Sequence, residues 1–212
     1  MSLNPMHIVA SNFNISDLPQ NASQEQITNY KLIRLSSLYT NPEAFGSTFA
    51  RESLFTPETW FDRVNGQARR IIFAIPAHIQ HEILPSGCNL PNTFWMGTVC
   101  VLWPEMIKAI PPVDPYPLEL ARREEKGDVD VYMIVGMWVH PDSRRLGVGK
   151  ALIHYAIQNV LAAESAGGEK QKVITLKVHE GNKAATALYQ GVGFVSMGPV
   201  DGSGGKWMVY GL

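Results

Sequence analysis

Hydrophobic and polar residues alternate along this chain in patterns that predict strands separated by helices. The run VDVYMIVGMWVHP is long, apolar and rich in valine, which is typical of a buried central strand. The later stretch KVITLKVHE alternates, so that Ile174, Leu176 and Val178 share one side of another strand. The predicted strands are, in chain order, residues 6–14, 70–76, 94–102, 131–139 and 173–179, followed by a hairpin of GFVSMGPV and KWMVYGL.

Helix start and stop signals predict four helices between these strands. Ser23 and Gln26 form a capping box, and the helix that follows keeps near-helical apolar spacing up to Asn41–Pro42, with Arg34 as the exception. Thr56 followed by proline predicts a short helix ending at Gly66. An internal helix, apolar on most faces, is predicted over 147–163 with Gly167–Gly168 ending it, and a short helix over NKAATALYQ.

A proline-rich segment, residues 103–128, interrupts this order before the central strand. It holds prolines at positions 104, 111, 112, 115 and 117, and its second half, PLELARREEKG, fits a helix. A loop of this length is uncommon in a compact domain unless it is functional or disordered. Two interpretations stay open: a solvated surface insertion, or a lid over a substrate site.

Composition and length narrow the class of protein. A chain of 212 residues, 45% of them hydrophobic, fits a single domain over 1–212 of mixed α/β (α+β) class, with 103–128 as an insert. The net charge of −1 argues against a nucleic-acid partner, and no apolar run is long enough to cross a membrane. The N-terminus lacks a secretory pattern. Cys88 and Cys100 are interpreted as free thiols or at most one bridge, so we expect a cytoplasmic protein, with the nucleus left open.

The stretch SRRLGVGKALIHYA joins the predicted central strand to the internal helix. The free N–H groups and partial positive charge of a helix N-terminus bind anions. Gly147 and Gly149 would let a phosphate approach the backbone, and Arg144, Arg145 and Lys150 add full positive charges. Neither the P-loop pattern nor the dinucleotide fingerprint fits the spacing. The stretch predicts a diphosphate site, the alternative being an ordinary tight turn beside solvated charges.

A second motif follows the strand VITLKVHE and agrees with the first. It reads N-K-A-A-T-A-L-Y-Q-G-V-G-F, and its characteristic positions are Asn182, Ala185, Leu188, Tyr189, Gly193 and Phe194. Over residues 131–194 the two motifs together resemble the GCN5-related N-acetyltransferase (GNAT) superfamily. The stretch FGSTFARES, residues 45–53, is more weakly similar to the acceptor-side segment of many members.

The resemblance implies the acyl-CoA N-acyltransferase fold, a mixed, mostly antiparallel sheet of six to seven strands with helices on both faces. The strands at 131–139 and 173–179 would run parallel in its centre and splay apart towards one end. The pantetheine arm of acetyl-CoA, the implied co-substrate, would enter this gap and pair with the backbone of the central strand. The implied coenzyme-binding residues are Met137, Trp138, Val139, Arg144, Arg145, Leu146, Gly147, Val148, Gly149, Lys150, Asn182, Ala185 and Tyr189.

The resemblance also implies the catalytic groups of a direct transfer from the thioester to a primary amine within a ternary complex. The N–H of Val139 is the implied donor to the developing oxyanion, with an ordinary ladder hydrogen bond as the alternative. Tyr189 is the implied general acid, since a phenol pKa of about 10 lies only slightly above a thiol pKa of about 8.5; the alternative is packing on the sheet. Asn182 can both cap its helix and contact the pantetheine arm.

No side chain stands out as the general base. Asp128 and Asp130 lie at the beginning of the central strand, and His179, Glu43 and Glu52 are weaker candidates, so a water relay is the favoured expectation. The acceptor, a small-molecule or protein amine, stays open, as does the choice between monomer and homodimer.

Two other functions stay open. One is transfer of a longer acyl group, for which Met137 and Trp138 would limit the pocket. The other is a non-catalytic acyl-CoA-binding sensor, against which the hydroxyl of Tyr189 argues. No metal is expected, because His78 and His81 lack partners at metal-ligand spacing. An acetylated cysteine is disfavoured, because neither cysteine has a neighbouring base in the sequence.

Overall fold

The computed structural model of the chain describes residues 12–77, 94–109, 117–164 and 170–212. The strands are β1 (Phe13–Asp17), β2 (Arg69–Pro76), β3 (Gly97–Leu102), β4 (Val129–Val139), β5 (Gln171–His179), β6 (Val195–Met197) and β7 (Gly205–Tyr210). The helices are α1 (Gln24–Thr40), α2 (Phe49–Glu52), α3 (Pro57–Asn65), α4 (Pro104–Ala109), α5 (Leu118–Glu125), α6 (Val148–Ala162) and α7 (Lys183–Gly191). Short 3₁₀ turns lie at Pro42–Ala44 and Pro141–Ser143.

The described strands form one sheet in the order β1-β2-β3-β4-β5-β7-β6. Neighbouring strands are antiparallel except β4 and β5, which are parallel. The predicted fold class is therefore confirmed: the sheet is mixed and mostly antiparallel, and its parallel pair lies in the centre between helices on both faces.

The two faces of the sheet carry separate apolar layers. On one face α6 buries Leu152 and Ile153 against the sheet, and Ile174, Leu176 and Val178 point to this layer as predicted. The opposite layer is built by α1 and α3 and contains the fully buried Trp60. Because apolar burial is roughly proportional to the area removed from water, these two layers supply most of the driving force for folding.

The parallel strands pair only over their first halves. Their register runs from Val129 opposite Gln171 to Met133 opposite Thr175. Both strands continue beyond this point, β4 for six more residues and β5 for four. The predicted splay is thus present, and it leaves a gap in the sheet between the ends of β4 and β5.

A β-bulge in β4 lies at the edge of this gap. Trp138 is opposite Thr98 and Val135 is opposite Cys100, so that Gly136 and Met137 share the one β3 residue between them. Gly136 has φ +62°, a left-handed conformation that glycine adopts without a steric penalty. Such a bulge bends the strand and strengthens its twist.

The predicted helix boundaries agree closely with the structure. Ser23 and Gln26 form the reciprocal capping box, and α1 ends one residue before Asn41. The hydroxyl of Thr56 caps α3 by accepting from the N–H of Thr59 over 3.2 Å. Helix α6 ends at Ala162, whereas the glycines predicted to end it lie outside the described residues.

Two predictions need correction. The first strand was expected over residues 6–14, but in the described part it extends three residues further, to Asp17, which still pairs with Ile72 of β2. Residues 1–11 lie outside the described part. The segment 103–128 was expected to form a helix only in its second half, yet α4 precedes α5. Helix α4 begins at Pro104, a position that proline tolerates, and its Met106 and Ile107 pack on the layer that α1 and α3 build.

Candidate functional site

The loop between β4 and α6 has the backbone geometry of an anion site. Gly147 is the N-cap of α6 with φ +84°, and Arg145 holds φ +63° although it is not a glycine. A left-handed residue followed by a helical one turns successive N–H groups towards one concavity, a nest that binds anions. The left-handed conformation costs a non-glycine residue about 1–2 kcal/mol, and such strain is typical of functional loops.

The side chains of this loop divide between solvent and core. Leu146 and Lys150 are exposed, whereas Val148 is buried in the layer beneath α6. Val148 can therefore offer only its N–H to a ligand, while Lys150 can offer its ammonium group.

The two glycines of the motif serve different purposes. A Cβ on Gly147 would meet no atom within 4 Å, so this position needs glycine for its backbone angle. A Cβ on Gly149 would lie 3.2 Å from Leu188 Cδ2 and 3.2 Å from Met137 Cε. Gly149 therefore lets α6, α7 and β4 approach closely, in addition to the access to phosphate that the sequence suggested.

The side chain of Arg144 is held by protein groups. Its Nε donates to the carbonyl of Val139 over 3.1 Å, and its Nη2 donates to Asn41 Oδ1 over 2.7 Å. The same Asn41 oxygen accepts from Trp138 Nε1 over 3.0 Å. Asn41 thus joins the C-terminal end of α1 to the loop, a role that sequence reasoning missed because its only signal there was the end of a helix.

The backbone of β4 faces the gap at alternate residues. The N–H of His140 donates to the carbonyl of Met96 over 2.9 Å, so His140 and Trp138 present their backbone groups to the β3 side. Met137 and Val139 consequently present theirs to the gap. Met137, Trp138 and Val139 were the expected backbone partners of pantetheine, and of these Met137 and Val139 point their backbone groups to the gap. The carbonyl of Val139 already accepts a hydrogen bond from Arg144.

Helix α7 places Asn182 and Tyr189 beside the same region. Asn182 Oδ1 caps α7 by accepting from the N–H of Ala185 over 3.1 Å, as predicted. Tyr189 is 7% exposed, lies in the layer beneath α6, and meets the ring of Phe194 edge to face at 5.8 Å. Burial raises the pKa of the Tyr189 phenol well above its usual value. The expectation of a nearly matched proton donor is therefore wrong in magnitude: the phenol stays protonated, and its proton costs more to give away.

The carboxylates near the expected acceptor segment are poor general bases. Glu52 binds Arg34 through two hydrogen bonds of 2.7 and 2.9 Å and Arg63 at 3.1 Å. Burial alone would raise the pKa of Glu52, but the bonds and charges of these arginines outweigh it and lower the pKa. Glu43 is exposed and accepts from Asn41 Nδ2 over 3.2 Å.

The remaining candidate bases lie at opposite ends of the parallel strand pair. Asp128 precedes β4 and Asp130 lies at its beginning, where the strands are still paired, and Asp130 contacts Lys170 at 3.6 Å. His179 is exposed at the end of β5, and its Nδ1 accepts from the N–H of Gly181 over 3.1 Å. Among the described candidates, neither carboxylate at the beginning of β4 reaches the gap, and one nitrogen of His179 is already bonded.

The described residues include one cysteine and no group of metal ligands. Cys100 is buried, and burial raises the pKa of its thiol to about 11, which leaves it without nucleophilic thiolate at neutral pH. Cys88, His78 and His81 lie outside the described residues. Within the described ranges no three His, Cys, Asp or Glu side chains are grouped to hold a metal ion. No described helix has the length and apolar character needed to traverse a bilayer.

The fold is the acyl-CoA N-acyltransferase fold, and a loop with left-handed residues follows the splayed end of its parallel strand pair. Residues 112–194 match the model of the Acetyltransferase (GNAT) family. The resemblance expected from the two motifs is thereby confirmed over this part of the chain, which includes the central strand, the loop and α7.

Solved structures of low sequence identity share this fold. NAA60 of Arabidopsis thaliana, solved in complex with a bisubstrate analogue, is 18% identical with a TM-score of 0.55, over 94% of this chain and 99% of that one. A GNAT-family acetyltransferase of Streptococcus pneumoniae is 18% identical with a TM-score of 0.54, over 93% and 98% of the two chains. A mutant of the SpeG spermidine N-acetyltransferase of Vibrio cholerae is 16% identical with a TM-score of 0.52, over 94% of each chain. No curated protein matches the chain.

Proposed function

We propose that this GNAT protein is an N-acetyltransferase that moves the acetyl group of acetyl-CoA to a primary amine by direct attack in a ternary complex. The observation that carries the proposal is the gap between β4 and β5, which opens next to the left-handed loop at residues 145–147. The family match over both elements supports it, as does a solved complex of NAA60 with acetyl-CoA.

Binding would use backbone groups more than side chains. The N–H groups at the start of α6 and the ammonium of Lys150 would hold the diphosphate. The gap-facing backbone of Met137 and Val139 would pair with the amides of the pantetheine arm, as an added strand does at a sheet edge. Arg144, which is bonded to Asn41, would keep the loop in place rather than contact phosphate.

The transfer would need three groups at the reacting atoms. When bound, acetyl-CoA supplies the activated acetyl thioester. The N–H of Val139 would stabilise negative charge on the thioester oxygen. A carbon–nitrogen bond forms as the carbon–sulfur bond breaks. The amine gives its proton to water, Tyr189 donates a proton to the departing sulfur, and the solvent returns a proton to the Tyr189 phenolate. Water is the proposed base because Glu52 is held by two arginines.

The acceptor is proposed only as an amine of a small molecule or a protein. A cytoplasmic location and a single domain over 1–212 belong to the same proposal, since they follow from composition and length.

A thiol-release assay tests the function. The purified chain is incubated with acetyl-CoA and panels of amino acids, polyamines and peptides, and free thiol and acetylated product are both measured. Amine-dependent thiol release with a matching mass increase of the amine supports the proposal. A higher kcat/KM with a longer-chain acyl-CoA than with acetyl-CoA would indicate that the enzyme transfers a longer acyl group. Tight acetyl-CoA binding without release for any amine would instead indicate a binding protein.

A further inference from the structure

Arg34 is a cation buried in the apolar face of α1. It is 7% exposed, and Tyr30, Ile33 and Leu38 are buried on the same helix. A charged group is rarely buried unless it is paired or has a ligand to bind. Each N–H donor of Arg34 is therefore expected to have a partner in the protein or to bind a ligand.

One edge of the Arg34 guanidinium is paired. Nε donates to Glu52 Oε2 over 2.9 Å and Nη2 donates to Glu52 Oε1 over 2.7 Å, the bidentate geometry that suits arginine and carboxylate. Arg63 contacts the same carboxylate at 3.1 Å. Two guanidinium groups thus share one carboxylate, and the cluster carries one net positive charge in a mostly buried environment.

The third nitrogen of Arg34 has no such partner. No described residue accepts a hydrogen bond from Nη1. The nearest atom to a Cβ built on Gly136 is this Nη1, at 4.0 Å. A Cβ at this place would be in van der Waals contact with Nη1, and outside the adjoining residues no other atom lies within 4 Å of it, so this space is bounded on one side by a donor-bearing cation.

This space lies on the side from which an acceptor can reach the gap. Helices α6 and α7 cover one face of β4 and β5, and Tyr189 belongs to that layer. Helix α1 lies on the other face, and Gly136 immediately precedes Met137, whose backbone faces the gap. An amine that enters beside α1 would pass next to Arg34 Nη1 before it meets the thioester.

From this geometry we infer that the acceptor is an α-amino acid, whose carboxylate binds Arg34 Nη1 while its amine points to the gap. The inference rests on the proposed function. A carboxylate supplies the negative charge that the cluster of Arg34, Arg63 and Glu52 lacks, and it accepts from a guanidinium in a charge-assisted bond. An amine without a carboxylate, such as a polyamine, brings a second positive charge to the same place and is disfavoured.

Matched substrate pairs test this inference. Each pair is an amino acid and the amine that lacks its carboxylate, such as phenylalanine with phenethylamine and lysine with cadaverine. We expect the wild-type kcat/KM to favour the amino acid by on the order of 100-fold. In Arg34→Gln this ratio should fall by on the order of tenfold or more, mainly through the KM of the amino acid.

Arg51→Gln is the matched control, since Arg51 is exposed, directly precedes Glu52 in the sequence and takes part in neither of its ion pairs. It should leave the ratio unchanged. Each ratio compares kcat/KM for two substrates of the same enzyme preparation. An unfolded fraction lowers both values equally, so it leaves the ratio unchanged. Calorimetry of amino acids with the CoA-loaded chain adds a readout that needs no turnover, and binding should weaken in Arg34→Gln only.

The outcomes separate the inference from the proposed function. Transfer to amines that equals or exceeds transfer to amino acids would overturn the inference and leave the function standing. A preference for peptides over free amino acids would also overturn it. Absence of transfer to every amine, with amino-acid binding that depends on Arg34, would overturn the function and support the binding site. Loss of the ratio in both variants would overturn the specific role of Arg34.

Discussion

Arg144 Nη2 donates to Asn41 Oδ1 over 2.7 Å, across a separation of 103 residues in the sequence. Asn41 caps the C-terminal end of α1, and Arg144 begins the loop that precedes α6. Since Trp138 Nε1 donates to the same oxygen, one side-chain amide connects helix, strand end and loop. The backbone of this loop is therefore positioned partly from α1.

Removing either member of this pair should weaken acetyl-CoA binding. We expect Asn41→Ala and Arg144→Ala each to raise the Kd several-fold, because the loop loses its connection to α1. A double-mutant cycle by calorimetry should show a coupling energy of about 1 kcal/mol, as for an exposed charge-assisted bond. Additive losses would contradict a connection of the loop to α1 through this pair. The exposed Arg51→Ala serves as the control for a change in overall charge.

Gly149 should tolerate neither a larger side chain nor a negative charge. Two variants separate the steric effect from the effect of charge on acetyl-CoA binding. Gly149→Ala adds a Cβ 3.2 Å from Leu188 Cδ2 and from Met137 Cε, so it should lower the Tm and weaken binding modestly. Gly149→Asp adds repulsion of the diphosphate as well. Its Kd for acetyl-CoA should rise by on the order of tenfold beyond that of the alanine variant. Equal affinities of the two folded variants would contradict a diphosphate at this turn.

Tyr189→Phe should lower kcat by on the order of 100-fold, the usual contribution of a general acid. The Kd for acetyl-CoA should stay within about twofold and the Tm should not fall, since no described residue bonds the hydroxyl. Because burial raises the pKa of Tyr189, the wild-type rate should show no loss from tyrosine ionisation below about pH 10. A variant as active as the wild type would remove Tyr189 from the mechanism.

Glu52→Gln should be strongly destabilising, because it leaves Arg34 and Arg63 next to a neutral amide. We expect a loss of about 3–5 kcal/mol in the free energy of unfolding at pH 7, measured by urea titration. The exposed Glu43→Gln should change it by less than about 0.5 kcal/mol.

The pH dependence of stability provides a second check on Glu52. Its pKa is lowered in the folded chain, so its contribution is present above the unfolded value of about 4.3 and is lost as the pH falls through the folded value. The wild type should therefore lose more stability than Glu52→Gln as the pH is lowered below about 5. Parallel stability curves would show that Glu52 is not held as a carboxylate.

Cys100 should take no part in transfer. With a thiol pKa of about 11 and a buried position, it should resist maleimide at pH 7.5 in the folded chain and react after unfolding. The experiment is done in a Cys88→Ala background, so that only one thiol is followed. Cys100→Ala should retain kcat/KM within about twofold. Loss of activity with intact folding would favour an acetyl-cysteine route.

Sequence patterns predicted the elements that local signals determine. The capping box of α1, the proline start of α3 and the alternation of β5 are short-range features, and each appears where expected. The turn between β4 and α6 was also predicted, because Gly147 needs a left-handed angle that glycine supplies, and anion binding at this turn stays a prediction. Helix α4 was missed, since it is six residues long and borders a proline-rich stretch.

Long-range relationships could not be predicted in the same way. Arg34 was noticed only as a break in an apolar pattern, and its partner Glu52 lies 18 positions away on another helix. The contact of Asn41 with Arg144 depends on the sheet order, which brings the end of α1 to the end of β4. The high pKa of Tyr189 likewise follows from burial in the assembled core and not from its motif.

The bulge at Gly136 has a consequence for how β4 can change in evolution or by design. Residues 134 and 137 point to the α6 layer and residue 138 to the α1 layer. In a regular strand residues 134 and 138 would share a face, so the bulge shifts the alternation of side chains by one residue. A β-branched residue at 136 would straighten the strand, and the indole of Trp138 would then rotate away from Asn41. Deletion of Gly136 would also straighten the strand yet keep every later side chain on its present side. Deletion of Gly136 should therefore disturb β4 less than replacement of Gly136 by a β-branched residue.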